Sequence, residues 1–151
     1  MSEDASASAL SITPIEDADV IEVVGLWERC GLTRPWNEPA ADIALARKGE
    51  NATILVGREY GAIVATALIG HDGHRGWVYY VAVEPAYQKK GFGRIIMGAA
   101  EEWLRDAGVA KMQLMVRPEN TGVRAFYESI GYGEQPRVLF AKWLDGRPLT
   151  P

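Results

Sequence analysis

The sequence predicts an α/β domain: one mixed, mostly antiparallel central sheet with helices on both faces. Three observations predict it. The hydrophobic period along the 151 residues starts at helical spacing, changes to the strand period in the middle, and then alternates strand and helix. The segment Trp77–Val83 is apolar at odd and even positions alike, as a strand covered on both faces must be. Directly after it, Gly91–Ala107 carries Ile95, Ile96, Ala99, Ala100, Trp103, Leu104 and Ala107 on one helical stripe.

Taken in order, residues 1–9 are small, polar and acidic and read as a disordered leader, with one domain expected over 10–151. Leu10–Thr13 is a short strand. Asp17–Cys30 is a helix, with Val20, Val23, Val24 and Trp27 at helical spacing and Gly31 as its stop. Leu32–Pro39 is a loop with two prolines and Trp36, and Asp42–Lys48 is a short second helix. Thr53–Arg58 and Ala62–Ile69 form a β-hairpin around Glu59-Tyr60-Gly61. Gly70–Gly76 is a second turn, leading into the central strand. After the long helix and its stop at Gly108 come a strand at Lys111–Val116, a helix at Asn120–Ile130 ended by Gly131, and a last strand at Val138–Leu144.

Composition narrows the partners. A formal charge of −4 disfavours nucleic acid, which requires a basic face, and disfavours an anionic membrane surface. One cysteine and two histidines leave no set for a cysteine-based zinc cluster and predict no metal site. The N-terminus has no basic stretch followed by an apolar one, so no signal peptide is expected, and the expected location is the cytoplasm.

Against this acidic background, Tyr87–Ile96 (YQKKGFGRII) gathers Lys89, Lys90 and Arg94 around two glycines where a helix begins. A solvated turn is one reading; a phosphate cradle is the other. A Walker loop fails for want of a Lys-Ser/Thr pair, and a dinucleotide fingerprint has Ile96 at its third glycine position. The remaining reading is physical. The first N–H groups of a helix lack intrahelical partners, the dipole is positive there, and glycines at 91 and 93 let an anion approach. A pyrophosphate fits such a site.

Gln88-Lys89-Lys90-Gly91-Phe92-Gly93 resembles the [RQ]-x-x-G-x-[GA] signature of the GCN5-related N-acetyltransferases (GNAT). Val81–Tyr87 is similar to that family's fourth-strand segment. Asn120 and the run Ala125–Tyr132 resemble its N-x-x-A-x-x-[FL]-Y-x-x-x-G-[FY] segment. The resemblance spans about Leu10 to Leu144 and is closest to small stand-alone bacterial acetyltransferases, so it implies a single GNAT-type domain.

It implies acetyl-CoA as donor and an amine of a small molecule, peptide or protein as acceptor, with direct transfer in a ternary complex. Val81, Ala82 and Val83 would meet the pantetheine arm through their backbone. Gln88, Lys89, Lys90, Gly91, Phe92, Gly93 and Arg94 would hold the pyrophosphate, and Asn120 would both cap its helix and touch the cofactor. Tyr127 would be the general acid for the departing thiolate. Some relatives that acetylate protein N-termini carry a Glu where this chain has Met115, which leaves Glu84 as the carboxylate near the strand end and the candidate base. Trp36 and His74 are the candidate acceptor-binding residues. The last strand suggests a homodimer. A non-catalytic acyl-CoA sensor of the same fold is the alternative function, and a Rossmann-type nucleotide binder a third.

Overall fold

The computed structural model describes residues 10–150; the leader expected over 1–9 lies outside the described residues. The chain divides into two compact units, one running to Met115 and one starting at Val116.

The first unit is a five-stranded sheet in the order β1-β2-β3-β4-β5. Its strands are β1 (Leu10–Pro14), β2 (Ala52–Glu59), β3 (Ala62–His71), β4 (Gly76–Val83) and β5 (Met112–Gln113). The first three pairings are antiparallel and the last is parallel. The β2–β3 hairpin closes on Tyr60 and Gly61, whose φ values of 51° and 84° are both left-handed. A two-residue hairpin turn twisted to match its strands requires that.

The helices are α1 (Val20–Arg29), α2 (Pro39–Ala46) and α3 (Phe92–Asp106). Asp17–Asp19 is a 3-10 turn rather than the start of α1. Asp19 explains it: its carboxylate accepts the N–H of Glu16 at 2.9 Å and the guanidinium of Arg58, which ties this turn to β2. Val23, Leu26 and Trp27 of α1 and Ile43 of α2 pack on Ile54, Val56 and Ala82 in one core cluster. α3 packs on β3 and β4 through Phe92, Ile96, Met97, Ala100 and Leu104, all buried. Strand alternation separates the two sets: Ile54 and Val56 face α1, whereas Leu55 between them faces the other way.

The second unit holds one helix, α4 (Thr121–Ser129), capped by Asn120, whose Oδ1 accepts the N–H of Val123 at 3.3 Å. It ends as the sequence predicts. Gly131 turns left-handed at φ 102° and the N–H of Tyr132 reaches back to the carbonyl of Tyr127 at 3.0 Å.

Two strand expectations are corrected. Lys111–Val116 shrinks to Met112–Gln113, and Val138–Leu144 forms no strand. Apolar runs report propensity, but a strand extends only as far as a partner edge supplies hydrogen bonds.

Candidate functional site

The site grows from the open edge of β4. The N–H of Glu84 donates to the carbonyl of Val64 at 2.8 Å, and Ala82 pairs with Thr66. By antiparallel alternation, the backbone groups of Val83 between them face away from β3. On that outer side β5 pairs only with Gly76 and Trp77. Beyond Trp77, no strand of this sheet lies beside the edge among the described residues. Two side-chain donors, Sγ of Cys30 at 3.3 Å and Nε2 of Gln88 at 3.2 Å, rest on the Val83 carbonyl. Burial, reinforced by the charge of Glu84, pushes the Cys30 thiol up, so it stays a donor.

β4 is not regular on the way to that edge. Leu68 pairs with Tyr79 and Thr66 with Ala82, so Tyr80 and Val81 together oppose Ala67 as a β-bulge. Tyr80 has φ 53°, a conformation that costs a non-glycine residue about 1–2 kcal/mol. Three contacts hold it, and a fourth backs the first of them. The Thr66 hydroxyl donates to the Tyr80 carbonyl at 3.0 Å, and Trp27 Nε1 donates to that hydroxyl at 2.8 Å. The Trp27 ring stacks on the Tyr80 ring with centroids 3.7 Å apart. The Tyr80 hydroxyl donates to Asp42 at 2.7 Å. Burial first, then Asp42, pushes the Tyr80 phenol above its usual range, so it remains a donor.

After β4 the chain forms a 3-10 turn, Pro85–Tyr87. Lys89 and Gly91 are then both left-handed, at φ 69° and 84°. Gly91 caps α3 without a side chain, and the first intrahelical bond runs from the N–H of Ile95 to the Gly91 carbonyl. The N–H groups of Phe92, Gly93 and Arg94 therefore point off the helix end. Phe92 buries its ring, so only its backbone is on offer. Gln88, Lys89, Lys90 and Arg94 are exposed around the same turn, with the Lys90 ammonium 5.0 Å from the Tyr87 ring centre. Val81 to Arg94 thus form one continuous feature, a strand edge without a strand partner among the described residues, ending in a basic helix N-terminus.

Glu84 is held in a fork by Arg29, with Nη2 at 2.7 Å and Nε at 3.0 Å from Oε1. To act as a base it would first have to leave that pair. Trp36 lies half-buried in the turn between α1 and α2, a loop that Arg34 fastens to the carbonyls of Gly31 and Thr33. His74 is exposed in the β3–β4 turn, where its N–H and that of Arg75 are held by the Asp72 carboxylate. That turn leads into the Gly76 end of the eight-residue β4, about 23 Å along the strand from Val83.

Asn120 and Tyr127 belong to the second unit. Tyr127 contacts the rings of Phe126 and Tyr132 edge-on, at 5.1 and 5.8 Å between centroids. Burial pushes its phenol up to about 12. Sequence reasoning missed Thr66, Asp42 and Tyr80, and read Trp27 only as part of a helical stripe. One signal was visible: a lone Thr inside the apolar run Ala62–Ile69.

The family model for acetyltransferases of the GNAT family matches residues 21–132. An acetyltransferase of Yersinia enterocolitica is 36% identical over 135 residues, covering 89% of this chain and 96% of that protein. An acetyltransferase of Sodalis glossinidius is 40% identical over 121 residues, covering 80% and 85%. Among solved structures, a ribosomal-protein alanine N-acetyltransferase from Escherichia coli superposes with a TM-score of 0.73 at 27% identity, covering 91% of this chain and 87% of that one. The aminoglycoside N-acetyltransferase AAC(6')-Iy, solved with CoA, gives 0.77 at 17% identity over 89% and 95%, a likeness of fold.

Proposed function

The chain belongs to the GNAT acetyltransferase family and is an acetyl-CoA-dependent N-acetyltransferase, and on that premise we propose how its residues divide the work. The observation that carries the proposal is the continuity of the β4 edge beyond its β5 pairing with the basic N-terminus of α3. The N–H groups of Phe92, Gly93 and Arg94, with Gln88, Lys89, Lys90 and the left-handed Gly91, receive the pyrophosphate of the donor. The Val81–Val83 edge receives the pantetheine arm in the manner of an added strand. There the Gln88 amide and the Cys30 thiol on the Val83 carbonyl give way to an amide of the arm. A primary amine then attacks the thioester carbonyl directly. Alignment of the two substrates supplies much of the acceleration, and a backbone N–H near Val81 steadies the oxyanion.

The family resemblance assigns Tyr127 to the leaving sulfur, and Asn120 fixes the start of its helix. A phenol near 12 is about 3.5 units above a thiol of ordinary pKa, so outright proton transfer is uphill by about 5 kcal/mol. Tyr127 therefore works chiefly as a hydrogen-bond donor to the developing thiolate, and the proton that ends on sulfur originates on the acceptor amine. Because the Arg29 fork engages Glu84, the base is water, with Glu84 holding the turn that leads into the cradle. Trp36 sits on the acceptor side through its loop. His74 contacts only an acceptor long enough to reach the far end of β4. The acceptor amine belongs to a small molecule, a peptide or a protein, and the location is the cytoplasm, where the donor is available.

The test is CoA thiol release across a broad amine panel, with Tyr127→Phe beside the parent. Release is expected with at least one amine. The variant should keep its acetyl-CoA affinity while kcat falls about tenfold to a hundredfold, the range for losing a hydrogen bond to a charged group. Equal turnover in Tyr127→Phe would remove Tyr127 from the reaction. Tight acetyl-CoA binding without release for any amine would favour the sensor reading.

A further inference from the structure

The bulge at Tyr80 inverts the alternation of β4. Val78, opposite Ile69, lies on the side of the sheet that α3 covers, and a regular strand would put Tyr80 and Ala82 there too. Instead both join the cluster around Trp27, and Val81 and Val83 take the other phase. The strand edge used in the proposed function thus owes its phase to one left-handed residue. That residue is held by a closed circuit. Trp27 Nε1 donates to Thr66 Oγ1, Thr66 Oγ1 donates to the Tyr80 carbonyl, and the Tyr80 ring returns to Trp27 by stacking. Asp42 holds the far end of the same ring. Thr66 and Trp27 are fully buried. A valine at Thr66 would fill the same volume with no hydroxyl to satisfy, so packing alone does not call for this chemistry.

We propose that Thr66, Trp27 and Asp42 are positioning residues for the transfer reaction: through the bulge at Tyr80 they set the β4 edge that receives the pantetheine thioester. The inference rests on the donor reading above. The circuit touches the strand edge only, and the pyrophosphate cradle lies beyond it, past the 3-10 turn. Its loss should therefore separate the two halves of the donor. Thr66→Val keeps the shape but leaves the Trp27 N–H and the Tyr80 carbonyl without their partner.

The experiment compares binding of acetyl-CoA with binding of adenosine 3′-phosphate 5′-diphosphate, the nucleotide half alone, by calorimetry. In Thr66→Val, acetyl-CoA affinity should fall about tenfold while the nucleotide half stays within about twofold. Thr66→Ser, which keeps the hydroxyl, should bind both like the parent. Asp42→Ala, on a half-exposed site, should shift the ratio in the same direction by about threefold. It decides the matter if Thr66→Val does not fold. An unchanged ratio in the folded variants overturns this inference alone. A parent that binds the nucleotide half and acetyl-CoA equally, or neither, overturns the donor reading and this inference with it.

Discussion

Gly76 of β4 stands in the footprint of Leu104 of α3: a Cβ at Gly76 would lie 2.3 Å from Leu104 Cδ1 and 3.0 Å from its Cδ2. Both residues are buried, so the branched end of Leu104 has nowhere to retreat. Gly76→Ala should lower stability by about 1–3 kcal/mol through overpacking. Adding Leu104→Ala, which alone should cost about 2–5 kcal/mol, should destabilise by less than the sum, because the two changes share one space. Denaturant unfolding of the four proteins measures this, and strict additivity would show that the contact is not the cause.

Asp19 carries the most buried carboxylate described. Burial by itself would raise its proton affinity, but the Glu16 N–H and the Arg58 guanidinium outweigh it and hold the carboxyl below 3.8. A lowered folded pKa means that the stabilising contribution is complete above the unfolded value and is lost as pH falls through the folded one. Asp19→Asn should cost about 1–3 kcal/mol at neutral pH. It should also flatten the loss of stability below about pH 4. Parallel acid titrations of parent and variant would expose the error if the two curves kept the same shape.

Gly91 has open space around its missing Cβ but a φ of 84°. Alanine there meets no clash, only backbone strain of about 1–2 kcal/mol. It would also stand beside the N–H groups offered to the pyrophosphate. Gly91→Ala should therefore fold, lose a few degrees of Tm, and raise the KM for acetyl-CoA more than it lowers kcat. A variant whose KM is unchanged would take the cradle away from this turn.

The Arg29–Glu84 pair is largely exposed on its arginine side, so it should add no more than about 1 kcal/mol to stability. Glu84→Gln keeps an oxygen for Arg29 and should leave turnover within about threefold, as expected of a group that holds a turn. A fall of about a hundredfold or more, in the range of a lost general base, would restore Glu84 to the chemistry. The pH profile gives a second check on Tyr127. Its phenol stays protonated up to about 12, against 10 when unfolded. Stability tied to it is thus present below 10 and lost between about 10 and 12, and any loss of activity below pH 10 has another origin.

Much of the fold was legible because its signals are local. The stops at Gly31, Gly108 and Gly131 are each a left-handed glycine. The hairpin turn sits at Tyr60–Gly61. The basic helix start at Lys89–Arg94 was readable from charge and glycine alone, and α3 does begin there. Strand lengths were not readable. Met112–Gln113 and the unladdered Val138–Leu144 show that an apolar run announces propensity and cannot announce where a neighbouring edge ends.

By itself the sequence determined the α/β order and the family, and it pointed to the proposed phosphate cradle, since helix dipole, glycine freedom and cationic side chains all lie within ten residues. Only the tertiary structure decided the shape of the β4 edge. The left-handed Tyr80 is imposed by Asp42, 38 residues away, and by Thr66, itself tied to Trp27 across 39 residues. No local pattern encodes a strained backbone angle, because the contacts that offset its cost assemble only when α1, α2 and β3 close around it.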